Sequence, residues 1–226
     1  MTTKDADTRD RILRAAADLL AASGSESVST RAVCAAAGVG APALYHHFGD
    51  KQGLLDAVAA LGFERYLADK RAQPRSGDPV EDLRRGWDLH VEFGRTHPAF
   101  YALMYGGARR PPIAGEAHEI LLGLVGRVAR AGLLRVPVET AAAMMHAAGV
   151  GVTLAVIADP DGAGELSERT REAVLAALTT GAAADGAGDG IAARAVALRA
   201  ELAAGPPPAL SAPEAALLAE WLDRLA

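Results

Sequence analysis

Residues Ser29 to Leu55 read STRAVCAAAGVGAPALYHHFGDKQGLL, and this stretch decides the fold. Ser29 is a favourable N-cap, because its hydroxyl can accept a hydrogen bond from a free backbone N–H of the first helical turn. Gly38 ends the following run of helix formers, since glycine tolerates a left-handed backbone. A second helix starts near Gly40, with Pro42 in its first turn, where the missing N–H is harmless. Two helices around a short glycine-containing turn predict a helix-turn-helix.

The second helix and the residue that follows it indicate where a partner binds. Leu44 and Phe48 lie four residues apart and predict a face that packs on the core. Asp50 is placed to cap the next helix, which puts Lys51 at that helix's first position. A cation is slightly disfavoured at a helix N-terminus. An external anion is therefore the better explanation of Lys51.

A longer pattern carries a resemblance to a known family. From Cys34 through Leu55 the chain reads CxxAGVxxxxLYHHFxxKxxLL. This pattern resembles the DNA-binding domain of the TetR family of bacterial transcriptional regulators, over roughly residues 8–62. The chain departs from the family at Cys34, where alanine is usual, and at Gly40, where serine or another polar residue is common. Cys34 is close to alanine in volume and is expected to pack in the core.

The resemblance implies a mode of DNA binding. The second helix is expected in the major groove of double-stranded DNA with its early residues at base edges. Small apolar side chains there can contact thymine methyl groups, while cations, hydroxyls and imidazoles can bind phosphates or base edges. The implied DNA-binding residues are Ser29, Thr30, Arg31, Gly40, Ala41, Pro42, Ala43, Tyr45, His46, His47 and Lys51. One such helix reads few base pairs, so a homodimer on a palindromic operator is expected.

Composition bounds the fold class and the compartment. Half of the 226 residues are hydrophobic and 4% are aromatic, and alanine and leucine are abundant. This composition predicts an all-α fold. The single cysteine excludes an internal disulfide and fits a reducing compartment, so we expect a cytoplasmic protein. The N-terminus has no apolar signal-peptide core, and we expect no membrane span.

Net charge gives no support to a nucleic-acid partner. The chain carries −5 overall, and residues 1–60 contain six basic and seven acidic side chains. The basic surface that is usual for a DNA-binding domain is therefore not visible in the residue counts. The prediction of DNA binding rests on the motif and on the positions of individual cations.

Two domains are predicted, a three-helix helix-turn-helix domain over residues 1–62 and a helical bundle for effector binding and dimerisation over residues 63–226. The bundle contains the most apolar segment, which runs from Pro137 to Asp159 and must be buried on most faces. The resemblance implies that two late helices form the dimer interface, and residues 141–157 and 167–178 are the expected pair. A glycine-rich stretch over residues 181–190 predicts a flexible loop.

The bundle also holds the residues expected to bind a small, largely apolar effector. Bundles place ligand sites between facing helices, lined by apolar side chains with a few polar groups. The candidate residues are Trp87, His90, Phe93, Phe100, Tyr101, Met104, Tyr105, Met144, Met145 and His146. Thr153 is a further candidate polar group. His90 and His146 are polar side chains on otherwise apolar helices, which is costly unless each has a partner, and a pocket or its water would supply one. Gly149 and Gly151 leave room for a close helix contact or a bend beside the ligand.

These observations favour a transcriptional regulator, specifically a repressor that a ligand releases from its operator, over two alternatives. One alternative is a metal-dependent helical enzyme, but the motifs GxxxxGK[ST], GxSxG, HExxH and CxxC do not occur in the chain. The histidines of the second domain lack a ligand-like spacing of three or four within one helix, so no metal and no cofactor are predicted. The other alternative is an interaction protein without DNA binding, which Gly40 and the low basic charge of the N-terminal domain would favour.

Overall fold

The structure is a computed structural model that describes residues 3–24, 28–106, 114–161, 165–180, 189–205, 207 and 209–226. Within these residues the chain is helical apart from turns and one isolated β-bridge between Leu134 and Thr179. The predicted all-α fold is confirmed. The helices are α1 Thr3–Ser23, α2 Thr30–Ala37, α3 Ala41–Phe48, α4 Lys51–Ala72, α5 Pro79–Thr96, α6 Pro98–Tyr105, α7 Ala114–Arg130, α8 Val138–Ala158, α9 Leu166–Leu178, α10 Asp189–Ala204 and α11 Ala212–Leu225.

Contacts divide the chain into two compact units. The N-terminal unit comprises Met1–Ala72 and Glu92–Glu116, and the C-terminal unit comprises Gln73–Val91 and Ala117–Ala226. Helix α4 runs without interruption through residue 62, and α6 belongs to the same unit as the helix-turn-helix. The functional division after residue 62 stays a prediction.

The core of the N-terminal unit lies between α1, α2, α3 and α4. Ile12, Leu20, Val33, Leu44 and Leu54 are fully buried there. The sequence offers Thr8 as a plausible N-cap of the first helix, but α1 begins at Thr3. Asp5 in the first turn favours the earlier start, because its negative charge complements the helix dipole.

Helix α6 packs closely on α4 within the same unit. A Cβ added at Gly62 would lie 2.4 Å from a ring carbon of Phe100, so only glycine permits this approach. Beside this contact, the ring of Tyr66 on α4 lies 4.7 Å from that of Phe93, with the two planes tilted by 33°, and both rings are buried. Phe93 in turn stacks on His97 at 5.0 Å between ring centroids. Aromatic side chains therefore join α4 to the end of α5 and to α6.

The C-terminal unit has its own hydrophobic core. Leu83, Trp87, Val125, Val152 and Leu175 are buried in it, on α5, α7, α8 and α9. The spacing of Leu83, Trp87 and Val91 predicts an apolar stripe on α5, and all three residues are buried.

Asp78 and Glu81, three residues apart, predict a reciprocal capping box at the N-terminus of α5. The Asp78 carboxylate accepts from Val80 N–H at 2.8 Å and from Glu81 N–H at 3.3 Å. Glu81 itself pairs with Arg85 at 3.2 Å and does not return to the cap. The predicted reciprocal capping box is therefore wrong in its second half, because a basic residue one turn along the helix binds the glutamate.

Helix α11 buries less than its sequence predicted. The spacing of Leu217, Leu218, Trp221, Leu222 and Leu225 predicts one apolar stripe. In the structure Leu222 is the buried member of this set, and Trp221 is 52% exposed. Leu217 and Leu225 lie one turn either side of Trp221 and are also exposed. At the start of α11, Glu214 accepts from the Ser211 N–H at 2.9 Å, which is one half of a capping box.

The flexible loop predicted over residues 181–190 lies outside the described residues over 181–188. Its last two residues, Asp189 and Gly190, begin α10.

Candidate nucleic-acid interface and effector region

The turn between α2 and α3 has the geometry that its sequence predicted. Ser29 Oγ accepts from Ala32 N–H at 3.1 Å, which caps α2. Gly38 adopts φ +64°, and Val39 N–H donates to the Cys34 carbonyl at 3.0 Å. This paired arrangement is a Schellman ending, which turns the chain sharply out of the helix. Only three residues therefore separate the end of α2 at Ala37 from the start of α3 at Ala41.

Helix α3 presents one face to its own core and another to solvent. Leu44 is fully buried, while Tyr45 is 48% exposed. Gly40, Ala41, Pro42 and His46 are exposed, and Ala43 is half-buried. Ser29 and Arg31 at the start of α2 are also exposed, and Thr30 is half-buried. The structure therefore places most of the predicted DNA-binding residues on α3 and the turn before it, with Ser29, Thr30 and Arg31 at the start of α2 and Lys51 at the start of α4.

The last turn of α3 is tied back to α1. The Arg9 guanidinium lies over the Phe48 ring at 5.4 Å. The imidazole of His47 lies on the same turn, and its Nε2 is 3.5 Å from an Asp5 carboxylate oxygen, with 7% of the side chain exposed. The sequence did not indicate either contact, because both partners lie about forty residues away along the chain. The role of His47 in binding DNA stays a prediction, and it requires the imidazole to turn away from Asp5.

Lys51 occupies the first turn of α4 and is exposed. Asp50 caps this helix, with its carboxylate accepting from Gly53 N–H at 2.7 Å. A Cβ added at Gly53 would lie 2.1 Å from the Phe48 carbonyl oxygen. Because that carbonyl is backbone, a side chain at position 53 would force α3 and α4 apart. Glycine therefore sets the distance between the end of α3 and Lys51.

The predicted effector residues divide between the two units. Five of them are in the N-terminal unit: Phe93, Phe100, Tyr101, Met104 and Tyr105. Tyr101 and Met104 are almost fully buried, and Tyr101 lies 4.7 Å from Tyr105 between ring centroids. In this unit they are packed against their neighbours as core residues are.

The other five are in the C-terminal unit: Trp87, His90, Met144, Met145 and His146. Trp87 donates its indole N–H to Ser167 Oγ at 3.0 Å. Trp87 and His90 both lie against Gly149 on α8, with ring atoms 3.6–3.8 Å from where a Cβ would stand. Met145 is buried, whereas Met144 is 42% exposed.

Three small residues of α8, Thr153, Gly149 and Gly151, were candidates for contact with a ligand or a second helix. Thr153 is fully buried, and its hydroxyl donates to the Gly149 carbonyl at 2.7 Å within the same helix. Its hydroxyl therefore has a hydrogen-bond partner within α8, and its role beside a ligand stays a prediction. Gly149 is buried under Trp87, while Gly151 is exposed with open space where its Cβ would stand. The two glycines therefore serve opposite faces of α8.

A cavity of about 400 Å³ lies in the C-terminal unit, between α7, the start of α8, α10 and α11. Its lining combines apolar and charged side chains and, among the described residues, includes none of the ten predicted effector residues. The lining residues are Glu119, Leu122, Gly126, Arg130, Pro137, Val138, Glu139, Val196, Arg199, Ala200, Ala203, Ala204, Asp223 and Ala226. A cavity of this volume is large enough for a small organic ligand.

Comparison with known proteins identifies the N-terminal domain. The model of the family described as bacterial regulatory proteins, tetR family, matches residues 12–58. Residues 12–58 are a tetR-family domain. The resemblance drawn from the sequence is therefore confirmed over residues 12–58. The matched segment contains the whole helix-turn-helix and Lys51.

Relatives of the tetR-family domain include curated regulators. The HTH-type transcriptional regulator UidR of Escherichia coli (strain K12) is 34% identical over 122 residues, which are 50% of this chain. The match spans 59% of UidR, so less than two thirds of that protein is covered. The tetracycline repressor protein class C of Escherichia coli is 45% identical over 78 residues, 34% of this chain and 35% of the repressor.

Solved structures extend the likeness in fold beyond the tetR-family domain. The multidrug binding protein EbrR complexed with imidazole superposes with a TM-score of 0.61 at 23% identity, covering 78% of this chain and 93% of EbrR. A TetR-family transcriptional regulator from Haemophilus influenzae RD gives 0.57 at 18% identity, covering 79% of this chain and all of the other. At these identities the likeness shows the fold, an N-terminal helix-turn-helix followed by a helical C-terminal region.

Proposed function

We propose that this chain is a DNA-binding transcriptional regulator, a cytoplasmic homodimeric repressor that a small, largely apolar ligand releases from a palindromic operator. The observation that carries the proposal is the exposed face of α3 within the tetR-family domain. A short helix that leaves Ala41, Pro42, Tyr45 and His46 in solvent has the form of a recognition helix. Arg31 and Lys51 flank this face and are also exposed.

The DNA-binding step is tested by selection from a genomic library. Purified chain, kept in chelator, should enrich fragments that share a palindrome with half-sites about one helical turn or more apart. The double variant His46→Ala, Lys51→Ala is the matched control, because both side chains are exposed and their removal leaves the core intact. No shared sequence in the wild-type pool, or the same sequence in the variant pool, would contradict the proposal.

The homodimer is supported by the surface of α8. This helix is apolar and long enough to cross a membrane by length and composition, a test that core helices of soluble proteins also pass. Only 39% of its most apolar window is buried within the chain. One line of exposed positions on α8 recurs every four residues and consists of small residues, Ala143, Ala147, Gly151 and Ala155, with the exposed side chain of Met144 beside it. Small residues allow two helices to approach closely, so we assign this face to a second copy of the chain rather than to lipid.

The effector is proposed to bind in the C-terminal unit beside Trp87. There α5 and α8 meet at Gly149, and His90 and His146 can orient a ligand by hydrogen bonds. A ligand acts on DNA binding only through its differential affinity for two conformations. Similar proteins support a drug-like effector and repression as the mode of regulation, since EbrR is named a multidrug binding protein and the tetracycline repressor is named a repressor.

The effector proposal is tested with a thermal-shift and DNA-release screen of hydrophobic metabolites and drugs. A compound that releases DNA should bind more weakly to Trp87→Ala and to His146→Ala. The variant Ala203→Trp narrows the cavity between α7 and α10 instead and should leave its affinity unchanged. If Trp87→Ala and His146→Ala keep the affinity of wild type and Ala203→Trp loses it, the effector binds in the cavity between α7 and α10 and the proposed site is wrong.

A further inference from the structure

A cluster of metal-ligand side chains lies at the contact between α1 and the last turn of α3. One nitrogen from each of His46 and His47 and one carboxylate oxygen of Asp5 all lie within 4.8 Å of one another. Asp5 is in the first turn of α1, about forty residues from the two histidines. The sequence prediction of no metal considered the scattered histidines of the second domain, and it assigned this adjacent pair to DNA.

We propose that Asp5, His46 and His47 form a binding site for one divalent transition metal ion with the coordination preferences of zinc. Imidazole nitrogen and carboxylate oxygen are ordinary ligands of such ions, and three protein ligands leave a position open to solvent. The site goes beyond the proposed DNA-binding function and does not depend on it.

The distance between Asp5 and His47 carries the proposal. His47 Nε2 lies 3.5 Å from the Asp5 oxygen, which is longer than a good N–H···O hydrogen bond. Two ligand atoms on one tetrahedral zinc ion are about 3.4 Å apart, given bonds of about 2.1 Å to each. The pair therefore already has the spacing of two ligands on one ion.

The surroundings of His47 and His46 are consistent with a metal site. His47 is 7% exposed on its side chain and is held by the rings around it, at 5.2 Å from His46 and 6.2 Å from Phe48. His46 is exposed and can rotate by the small amount that would bring its nitrogen to the ion. The ion would sit at the C-terminal end of α3, where the helix dipole favours a cation. It would join the first turn of α1 to the last turn of α3.

The probes are Co²⁺ and Zn²⁺ added to the full chain after chelator treatment. Wild type should take up one Co²⁺ per chain with the visible absorption of nitrogen and oxygen ligation, Zn²⁺ should displace it, and the melting temperature should rise. Asp5→Asn, His46→Gln and His47→Ala should each weaken Co²⁺ binding by about tenfold or more. His118→Ala removes a histidine outside the cluster and should bind as wild type does.

Folding of each variant is checked by its melting temperature in chelator, so that a loss of metal is read only from folded protein. Absence of stoichiometric Co²⁺ binding by wild type would overturn the site. Unchanged binding in all three cluster variants, or equal loss in His118→Ala, would overturn it too. DNA selection in chelator tests DNA binding without metal, so failure of the metal site would not imply failure of DNA binding, and the reverse also holds.

Discussion

The carboxylate of Asp82 binds the guanidinium of Arg127 across the C-terminal unit, with Nη2 3.1 Å from Oδ2. The other carboxylate oxygen accepts from the backbone N–H and the hydroxyl of Ser76, each at 2.8 Å. Asp82 is 7% exposed. This side chain therefore joins the loop before α5 to α7. The Ser76 N–H, the Ser76 hydroxyl and then Arg127 hold the pKa of the Asp82 carboxyl below its usual value, against the opposing effect of burial.

Removing the Asp82 carboxylate should destabilise the C-terminal unit. Asp82→Ala should lower the free energy of unfolding by about 2 kcal/mol at pH 7, because a buried charged acceptor with three donors is lost. In wild type, the stabilisation by Asp82 should be present above about pH 4 and decline as the pH falls through the lowered pKa. Urea unfolding at pH 7 and along an acid titration measures both. Asp161→Ala, at an exposed aspartate, should behave as wild type.

Lys51 should contribute a sequence-independent part of DNA binding. Lys51→Ala should weaken binding about equally to specific and unrelated duplexes and reduce the slope of log K against log salt by about one, because one phosphate contact is lost. Binding measured from low to moderate salt tests this. Arg75→Ala removes an exposed cation in the loop before α5 and should leave the slope unchanged. An unchanged slope in Lys51→Ala would rule out the phosphate contact.

The exposed face of α8 should decide the oligomeric state. Gly151→Arg should give a monomer at micromolar concentration and lose operator affinity, because the new side chain stands where a second helix would lie. Gly123→Arg on α7 is a matched control, since both glycines are exposed and have open space at the Cβ position. Light scattering measures the mass. A dimeric Gly151→Arg, or a monomeric wild type, would show that the interface lies elsewhere or is absent.

Lys70 should make the stability of the N-terminal unit depend on alkaline pH. Burial lowers the pKa of Lys70 to about 8, and its ammonium lies 5.0 Å from the Tyr66 ring centroid. Between about pH 8 and 10.5 the unfolded chain binds more protons than the folded chain at this residue, so stability should rise with pH across that window.

Substituting the lysine tests this directly. Lys70→Met should remove that rise and stabilise the protein at pH 7 by at most about 3 kcal/mol. The gain should be smaller to the extent that the side chain remains partly exposed and the ammonium attracts the Tyr66 ring. Lys51→Met, at an exposed lysine, should retain the pH dependence of wild type. A Lys70→Met variant that still gains stability above pH 8 would contradict the assignment.

The sequence predicted the features whose causes lie within a few residues. The Ser29 cap, the left-handed Gly38 and the Asp50 cap each depend on atoms three or four positions away, and all three are present. The same holds for the exposed face of α3. Its residues are set by helical periodicity once Leu44 is buried, so this part of the candidate site could be read in advance.

Contacts between distant segments could not be read in this way. Asp5 near His47 and Phe93 on Tyr66 depend on how helices pack, and nothing in local spacing indicates them. Packing also explains why the predicted effector residues divide between the units. Sequence hydrophobicity indicates that a residue such as Tyr101 is buried, but it does not say whether a ligand or the protein itself covers it.

The contact of Gly62 with Phe100 has a mechanical consequence. Because the Phe100 ring lies directly on the backbone of α4, it is the single side chain that separates α6 from that backbone at this point. Packed interiors have low compressibility, so we expect a displacement of α6 toward α4 to move α4 rather than to be absorbed at this contact. Helix α4 begins at Lys51, beside the recognition helix, so within the N-terminal unit such a displacement would reach the DNA-binding residues.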